Sequence, residues 1–139
     1  MPKKIFPGRF ESLQHISEFV GRSAREAGLD ESAVYAVQLA VDEAATNIIE
    51  HAYGGEGDDK IECICELVPE GLQLILVDYG RVFDPDEVPE PDTDAPLEEV
   101  KPRGLGLFFM RRMMDEVKFD FSKRSGNRVI MLKRIKPGG

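Results

Sequence analysis

The run LQLILVD at residues 72–78 is the segment that most limits what this chain can fold into. Its apolar side chains fall on both alternating faces, which is the pattern of a strand buried on both sides. Such a strand lies in the interior of a sheet and has a neighbour at each edge. Because a chain of 139 residues has about the usual size of one domain, we expect residues 1–139 to form a single domain around this strand.

Shorter segments on either side of the central run predict further strands. Each alternates apolar with polar side chains, and turn residues such as Gly and Pro lie between them. Pro7 places the first of these segments at an edge of the sheet, because proline cannot donate a hydrogen bond within a central ladder. The predicted strands are residues 4–10, 61–67, 72–78, 117–122 and 128–134.

Apolar residues at helical spacing predict helices before and after the central strand. They recur over residues 13–27, and Gly28 then suits the residue that ends a helix. Asp30 can cap a second helix that runs to about His51, and a third helix begins at about Gly104. This order of elements favours an α/β fold, a two-layer sandwich with one mixed sheet and helices on one face.

Charge and cysteine content exclude several classes of function. The net charge is −8 and no basic stripe is present, which argues against direct binding to nucleic acid. No apolar run approaches the roughly 18 residues of a membrane span, and the first residues lack the apolar core of a signal peptide. Cys63 and Cys65 point to the same face of a strand and favour buried free thiols, as in a reducing cytoplasm. We expect a soluble, cytoplasmic protein.

Residues 84–102 differ in composition from the rest of the chain. They contain five prolines and eight acidic residues, so they cannot bury enough apolar surface to order themselves strongly. Too little chain lies on either side for two domains. The segment therefore predicts a mobile lid rather than a linker between domains.

The second predicted helix carries a polar pair that suits phosphate chemistry. Glu43 and Asn47 are four residues apart, so they lie side by side on one face. Polar residues opposite an apolar stripe usually form a solvated face. Here Ala36, Leu39 and Ala40 make that face only partly polar, and Asn is unfavourable inside a helix. A carboxylate beside an amide oxygen suits a general base next to a site for a hard cation.

Two further motifs lie at the ends of predicted elements. Asp78, with Gly80 after it, ends the central strand and forms either an ordinary turn or an acceptor for a ligand's exocyclic amine. Gly104 and Gly106 flank Leu105 at a predicted helix start, where free N–H groups attract phosphate. Each motif alone is more often ordinary structure. Together they supply a base, a metal ligand, an amine acceptor, a lid and a phosphate cradle.

In this combination the sequence resembles the GHKL superfamily of gyrase-type ATPases and histidine kinases. It is more closely similar to the anti-sigma-factor serine kinases of the RsbW type. EAATNIIEHAY matches that family's N-box, DYGRVFDP its Asp-x-Gly-x-x-Phe-Asp-Pro box and RGLGL its Gly-x-Gly-hydrophobic box. The resemblance covers nearly the whole chain. It implies a Bergerat-type ATP-binding fold with a mixed, mostly antiparallel sheet and an ATP lid.

The resemblance implies roles for the residues at matching positions. Glu43 would be the general base and Asn47 the Mg²⁺ ligand. Asp78 would pair with the adenine amino group, and Gly80 would lie under the base. The backbone amides of residues 104–106 would hold the phosphates.

Some positions depart from the family's pattern. Arg103 directly precedes the Gly-x-Gly box and Lys101 lies where the family often has an Arg, so either cation can meet the γ-phosphate. Asn127 stands where the family often has a Thr, and its amide can still hydrogen-bond near the adenine. His51 and Tyr53 match the end of the N-box but receive no chemical role.

The motifs are compatible with three functions. The resemblance implies a kinase that phosphorylates a Ser or Thr of an anti-anti-sigma (STAS-type) partner and, as a homodimer, binds a sigma factor. An ATP-gated binding module would use the same pocket without catalysis, but it has no need of a base such as Glu43. Histidine kinases usually have Asn at that position. We therefore predict an ATP–Mg²⁺-dependent serine/threonine-protein kinase that is also an anti-sigma factor.

Overall fold

The structure of this protein is a computed structural model that describes residues 2–82, 110–121 and 126–135. The described chain contains five strands, two α-helices and a π-helical turn, and residues 110–113 are also helical. In chain order these are β1 (Lys3–Pro7), α1 (Ser12–Glu26), α2 (Glu31–Asn47), the π-turn (Ile48–Ala52), β2 (Lys60–Val68), β3 (Gly71–Asp78), β4 (Glu116–Asp120) and β5 (Asn127–Arg134).

The strands form one sheet in the order β1-β2-β3-β5-β4, and every pairing among them is antiparallel. β3 is the middle strand, so the prediction of a central strand at residues 72–78 is confirmed. β1 lies at one edge, as Pro7 predicted. The register of β3 and β5 places Asp78 opposite Asn127, which brings two predicted site residues together at one end of the sheet.

The helices cover one face of the sheet. Alternate residues of β2, β3 and β5 pack with α1 and α2 in a single apolar core. The buried residues of these strands in that core are Ile61, Cys63, Cys65, Leu72, Leu74, Leu76, Val129 and Met131. Both cysteines are free thiols in this core. The predicted α/β fold, with helices on one face of a sheet, is therefore confirmed. The expectation of a mixed sheet is wrong for the described strands, because all of their pairings are antiparallel.

The boundaries of the two α-helices follow from the residues at their ends. Gly28 follows α1 with φ of +94°, in the left-handed region where glycine has no steric penalty. Asp30 precedes α2, and its side chain accepts a hydrogen bond from the Ala33 N–H at 2.8 Å. Such a cap stabilises a helix by about 0.5–2 kcal/mol.

No helix in the described ranges has the length and apolarity needed to cross a membrane.

The π-turn continues α2 with a wider turn. Tyr53 N donates to the Ile48 carbonyl at 2.9 Å, which is the five-residue spacing of a π-helix and not the four-residue spacing of an α-helix. The predicted helix end near His51 is therefore correct in position, but the last turn has a different geometry. Single π-turns within helices are uncommon and often lie at functional sites.

Candidate functional site

A cleft lies between the end of α2 and the adjoining parts of β3, β4 and β5. It opens to solvent, and its empty space of about 380 Å³ includes part of that open solvent. Its lining is mostly apolar with a few polar groups, as is usual for sites that bind a small organic molecule. The lining residues are Ala44, Asn47, Ile48, Ala52, Asp78, Met110, Phe119, Phe121, Arg128 and Val129. Asn47 and Asp78 thus reach one cleft from two motifs that are far apart in sequence.

Asp78 is the buried carboxylate of this cleft, with 6% of its surface exposed. Its Oδ1 accepts hydrogen bonds from the Asn127 side-chain amide and from the Gly80 N–H, each at 3.0 Å. No hydrogen bond between described residues reaches Oδ2. Burial raises the pKa of Asp78 above its ordinary value, while these two hydrogen bonds act in the opposite direction. Oδ2 is therefore the atom that can accept a hydrogen bond from a ligand in the cleft.

Asn127 holds Asp78 in this orientation. Its amide nitrogen donates to the Gly80 carbonyl at 3.0 Å as well as to the Asp78 carboxylate. Gly126, directly before it, has φ of +92°, and a side chain there would press on the Asp78 carbonyl. The ends of β3 and β5 are thereby joined by one buried amide. This is where the structure places Asn127, beside Asp78 and next to the cleft.

Gly80 packs against the end of the helix that carries Asn47. A Cβ at this position would overlap the Ala52 carbonyl, with its carbonyl carbon at 2.6 Å and the Tyr53 ring at 2.9 Å. Glycine is therefore required here because two backbone segments approach closely. The family resemblance implied that Gly80 lies under the adenine. The close approach of the helix end is a second reason for glycine at this position, and the sequence did not indicate it.

Glu43 and Asn47 lie one turn apart near the end of α2, and both are half-buried. Asn47 is the last residue of α2 and lines the cleft, whereas Glu43 is outside the lining. The pKa of Glu43 is raised, first by burial and then by the negative charges of Asp42 and Glu50. A carboxylate with a raised pKa beside a site for a charged ligand is suited to accept a proton.

Residues 79–81 are tied to the π-turn by several hydrogen bonds. Arg81 donates from its backbone N–H to the Ala52 carbonyl at 2.9 Å and from its Nε to the His51 carbonyl at 3.0 Å. Tyr79 N donates to the Tyr53 hydroxyl at 3.0 Å. Carbonyls at the C-terminal end of a helix attract a cation. Arg81 was not singled out from the sequence, although an Arg directly after the Asp-x-Gly motif could have indicated this contact with the helix end.

The cleft residues Arg128 and Phe119 were also not singled out from the sequence. Both lie on the β4–β5 pair, where Phe119 faces Val129 and Asp120 faces Arg128. Their alternating pattern predicted strands but gave no sign of which end of each strand meets α2. Only the pairing of β5 with β3 places them at the site.

Several predicted site residues lie outside the described residues. These are Lys101, Arg103, Gly104, Leu105 and Gly106, together with the predicted lid at 84–102. Among the described residues, no group of three or more His, Cys, Asp or Glu side chains is arranged to hold a metal ion. Asn47 lines the cleft and offers an amide oxygen, a type of ligand that hard cations such as Mg²⁺ accept.

Comparison with known proteins identifies the relatives of this chain. The family described as histidine kinase-like ATPase domain matches residues 6–133. The serine-protein kinase RsbW of Listeria monocytogenes serovar 1/2a is 33% identical over 116 residues, which are 81% of this chain and 73% of that protein. The RsbW of Halalkalibacterium halodurans is 32% identical over 115 residues, 80% of this chain and 70% of that protein.

Two further similarities agree with this result. The anti-sigma F factor of Clostridium novyi is 33% identical over 102 residues, 72% of this chain and 70% of that protein. The histidine kinase domain of a blue-light-activated histidine kinase from Erythrobacter litoralis has the same fold, with a TM-score of 0.54 at 16% identity. That similarity covers 91% of this chain and 60% of the other chain. The chain therefore belongs to the histidine kinase-like ATPase family and, within it, to the serine-protein kinases and anti-sigma factors of the RsbW type.

Proposed function

We propose that this chain is an ATP–Mg²⁺-dependent serine/threonine-protein kinase that also acts as an anti-sigma factor. The observation that carries the proposal is that Asn47 and Asp78 line the same apolar cleft. Relatives named serine-protein kinase and anti-sigma F factor support both parts of this function.

In this proposal the cleft is the site of the adenine ring of ATP. Oδ2 of Asp78 accepts a hydrogen bond from the exocyclic amino group, while Asn127 and the Gly80 N–H hold the other carboxylate oxygen. Ile48 and Val129 are among the apolar side chains that line the ring site. A charged acceptor in an apolar cleft selects a base with an amino group, because an unmatched buried acceptor costs about 1–3 kcal/mol.

The end of α2 performs the chemistry. Asn47 would hold Mg²⁺, which supplies charge neutralisation on the phosphates when it is bound. Glu43, one turn earlier, accepts the proton of the attacking hydroxyl, and its raised pKa brings it closer to the operating pH, where a general base is most effective. The backbone amides of residues 104–106 would hold the phosphates, with Lys101 or Arg103 meeting the γ-phosphate.

The partners are proposed from the family to which the chain belongs. The phosphoryl acceptor is a Ser or Thr of an anti-anti-sigma protein of the STAS type, and the second partner is a sigma factor bound by a homodimer of this chain. The relative from Clostridium novyi is named for such an anti-sigma role.

A nucleotide-gated binding module without catalysis is the alternative function. A module of this kind would use the cleft only to stabilise a conformation that binds its partner. Glu43 favours the kinase, because a half-buried carboxylate next to Asn47 has no task in mere binding. The solved histidine kinase domain shares only the fold and does not argue for histidine phosphorylation.

The test separates Glu43 from Asn47. Partners recovered with the wild-type protein are incubated with γ-labelled ATP, and label transfer and ATP affinity are measured for each variant. We expect Glu43→Ala to keep its affinity for ATP–Mg²⁺ and to lose transfer by about 10²–10⁴-fold, while Asn47→Ala loses both. Glu26→Ala, at the exposed end of α1, is the matched control. Equally slow transfer by wild type and Glu43→Ala, or none by either, would favour the binding module instead.

A further inference from the structure

The hydroxyl of Tyr53 connects three segments of the chain at the edge of the site. It accepts a hydrogen bond from the Tyr79 N–H at 3.0 Å and donates one to the Lys60 carbonyl. Tyr53 directly follows the π-turn, Lys60 begins β2, and Tyr79 directly follows Asp78. One side chain therefore bonds the end of the helix carrying Asn47 to the peptide that follows Asp78.

The ring of Tyr53 is fixed between two glycines. A Cβ on Gly8 would lie 3.1 Å from one edge of the ring, and a Cβ on Gly80 would lie 2.9 Å from the other. Burial raises the pKa of Tyr53 to about 12, so the hydroxyl stays protonated and keeps its donated bond at any working pH. The ring is thus held by packing, and its hydroxyl is held by two backbone groups.

The position of the Asp78 carboxylate depends on the peptide plane that follows it. The hydrogen bond from Tyr79 N fixes that plane, and the Gly80 N–H two residues beyond Asp78 then reaches Oδ1. Without the Tyr53 hydroxyl, the Tyr79 N–H loses this acceptor, and the Asp78–Tyr79 peptide loses the bond that fixes its plane. The two bonds of Arg81 to the π-turn remain. Loss of the hydroxyl therefore removes one restraint on the Asp78–Tyr79 peptide without detaching the loop, while Asn127 still bonds to Asp78.

We propose that Tyr53 is a positioning residue for adenine recognition, because its hydroxyl holds the Asp78–Tyr79 peptide in register with the π-turn and so aims the Asp78 carboxylate into the cleft. This inference rests on the proposed nucleotide site. It assigns a task to the tyrosine at the end of the N-box, which the sequence left without a role.

The experiment compares ATP with purine riboside triphosphate, which lacks the exocyclic amino group. The ratio of their dissociation constants, measured by calorimetry, reports amine recognition alone. Wild type is expected to prefer ATP by about tenfold or more, the usual effect of a matched buried hydrogen bond. Tyr53→Phe keeps the ring and is expected to lower this preference at least about threefold, with its affinity for the purine analogue unchanged. That unchanged affinity shows that the variant is folded.

The chain offers two matched Tyr→Phe controls, since it contains three tyrosines in all. Tyr35 is 63% exposed on α2, and the Tyr79 hydroxyl donates only to Glu62 among the described residues. Both Tyr35→Phe and Tyr79→Phe should keep the wild-type preference. An equal loss of affinity for both nucleotides in Tyr53→Phe would show a merely structural role and overturn the inference.

Asp78→Asn, measured beside these variants, separates the inference from the function on which it rests. If Asp78→Asn abolishes the ATP preference and Tyr53→Phe retains it, Asp78 still recognises adenine and the role of Tyr53 is refuted. If Asp78→Asn also retains the preference, the proposed adenine site is itself wrong, and the inference is overturned with it.

Discussion

Replacing Asp78 by Asn is expected to weaken ATP binding while leaving the empty protein equally or more stable. The amide oxygen of the new side chain can accept the same two hydrogen bonds, from Asn127 and the Gly80 N–H, that Oδ1 accepts at 3.0 Å. The amide nitrogen then occupies the position of Oδ2 and presents a donor to the donor amine of adenine. A mismatched buried hydrogen bond costs about 1–3 kcal/mol, so the dissociation constant should rise about tenfold or more.

Stability is expected to respond in the opposite direction. Burial raises the pKa of Asp78 in the folded protein, so the folded state binds a proton here more readily than the unfolded chain. The stabilisation from this proton is complete below the ordinary pKa of the unfolded chain and is lost as pH rises through the raised pKa. At neutral pH the wild type therefore bears the cost of a buried charge that Asp78→Asn avoids.

Thermal or denaturant unfolding of the empty protein between pH 4 and 8 measures this difference, and calorimetry measures ATP affinity. The advantage of Asp78→Asn should shrink as the pH is lowered, because the protonated acid and the amide are both neutral. Asp78→Ala is the contrasting variant. It removes the acceptor of the Gly80 N–H and one of the two acceptors of the Asn127 amide, and it should lose about 2 kcal/mol or more. A less stable Asp78→Asn at neutral pH, or one that binds ATP like wild type, would refute the reasoning.

Three other changes test separate parts of the site. Glu50→Gln removes a charge that raises the pKa of Glu43. In the pH–rate profile of phosphoryl transfer, the limb at acid pH should therefore move to lower pH. An unmoved limb would exclude Glu43 as the titrating base. Chelating Mg²⁺ should weaken ATP binding to wild type. In the same titration, the ATP affinity of Asn47→Ala is expected to be low already and to change little when the chelator is added. Gly80→Ala should cost about 1–3 kcal/mol in unfolding free energy, because the new methyl overlaps the helix end. Gly57→Ala meets nothing within 4 Å and should stay within about 0.5 kcal/mol; equal stability of the two variants would contradict the close approach.

Much of the fold was predictable because it is encoded locally. The doubly apolar run predicted β3 as the middle strand, and the alternation in residues 61–67 and 128–134 predicted two further strands, which the structure places on either side of it. Asp30 and Gly28 marked the helix boundaries through their own side-chain and backbone properties. These features need only a short window of sequence, and the structure confirms them. The assignment to the RsbW-type family, made from three short motifs, is confirmed by the relatives.

The contacts that assemble the site were not predictable in this way. The bond from Tyr79 to Tyr53, and the approach of Gly80 to Ala52, join segments that meet only after the sheet and α2 have packed. Asn127 was expected near the adenine from the family resemblance, but its bond to Asp78 depends on the register of β5 on β3. The roles of Glu43 as base and of residues 104–106 as phosphate cradle stay predictions.

The π-turn places a constraint on chain length rather than on side-chain identity. A π-turn closes over five residues where an α-helical turn closes over four, so Ile48–Ala52 holds one residue more than a regular turn would. If the same residues formed a regular α-helix, which advances about 100° per residue, Tyr53 would be rotated away from Tyr79 by about that angle. We expect insertion of one further residue between Asn47 and Tyr53 to weaken ATP binding in a titration, because it rotates Tyr53 in the same way, whereas substitution of the exposed Glu50 leaves binding intact. The segment thus tolerates exchange of residues but not insertion of one.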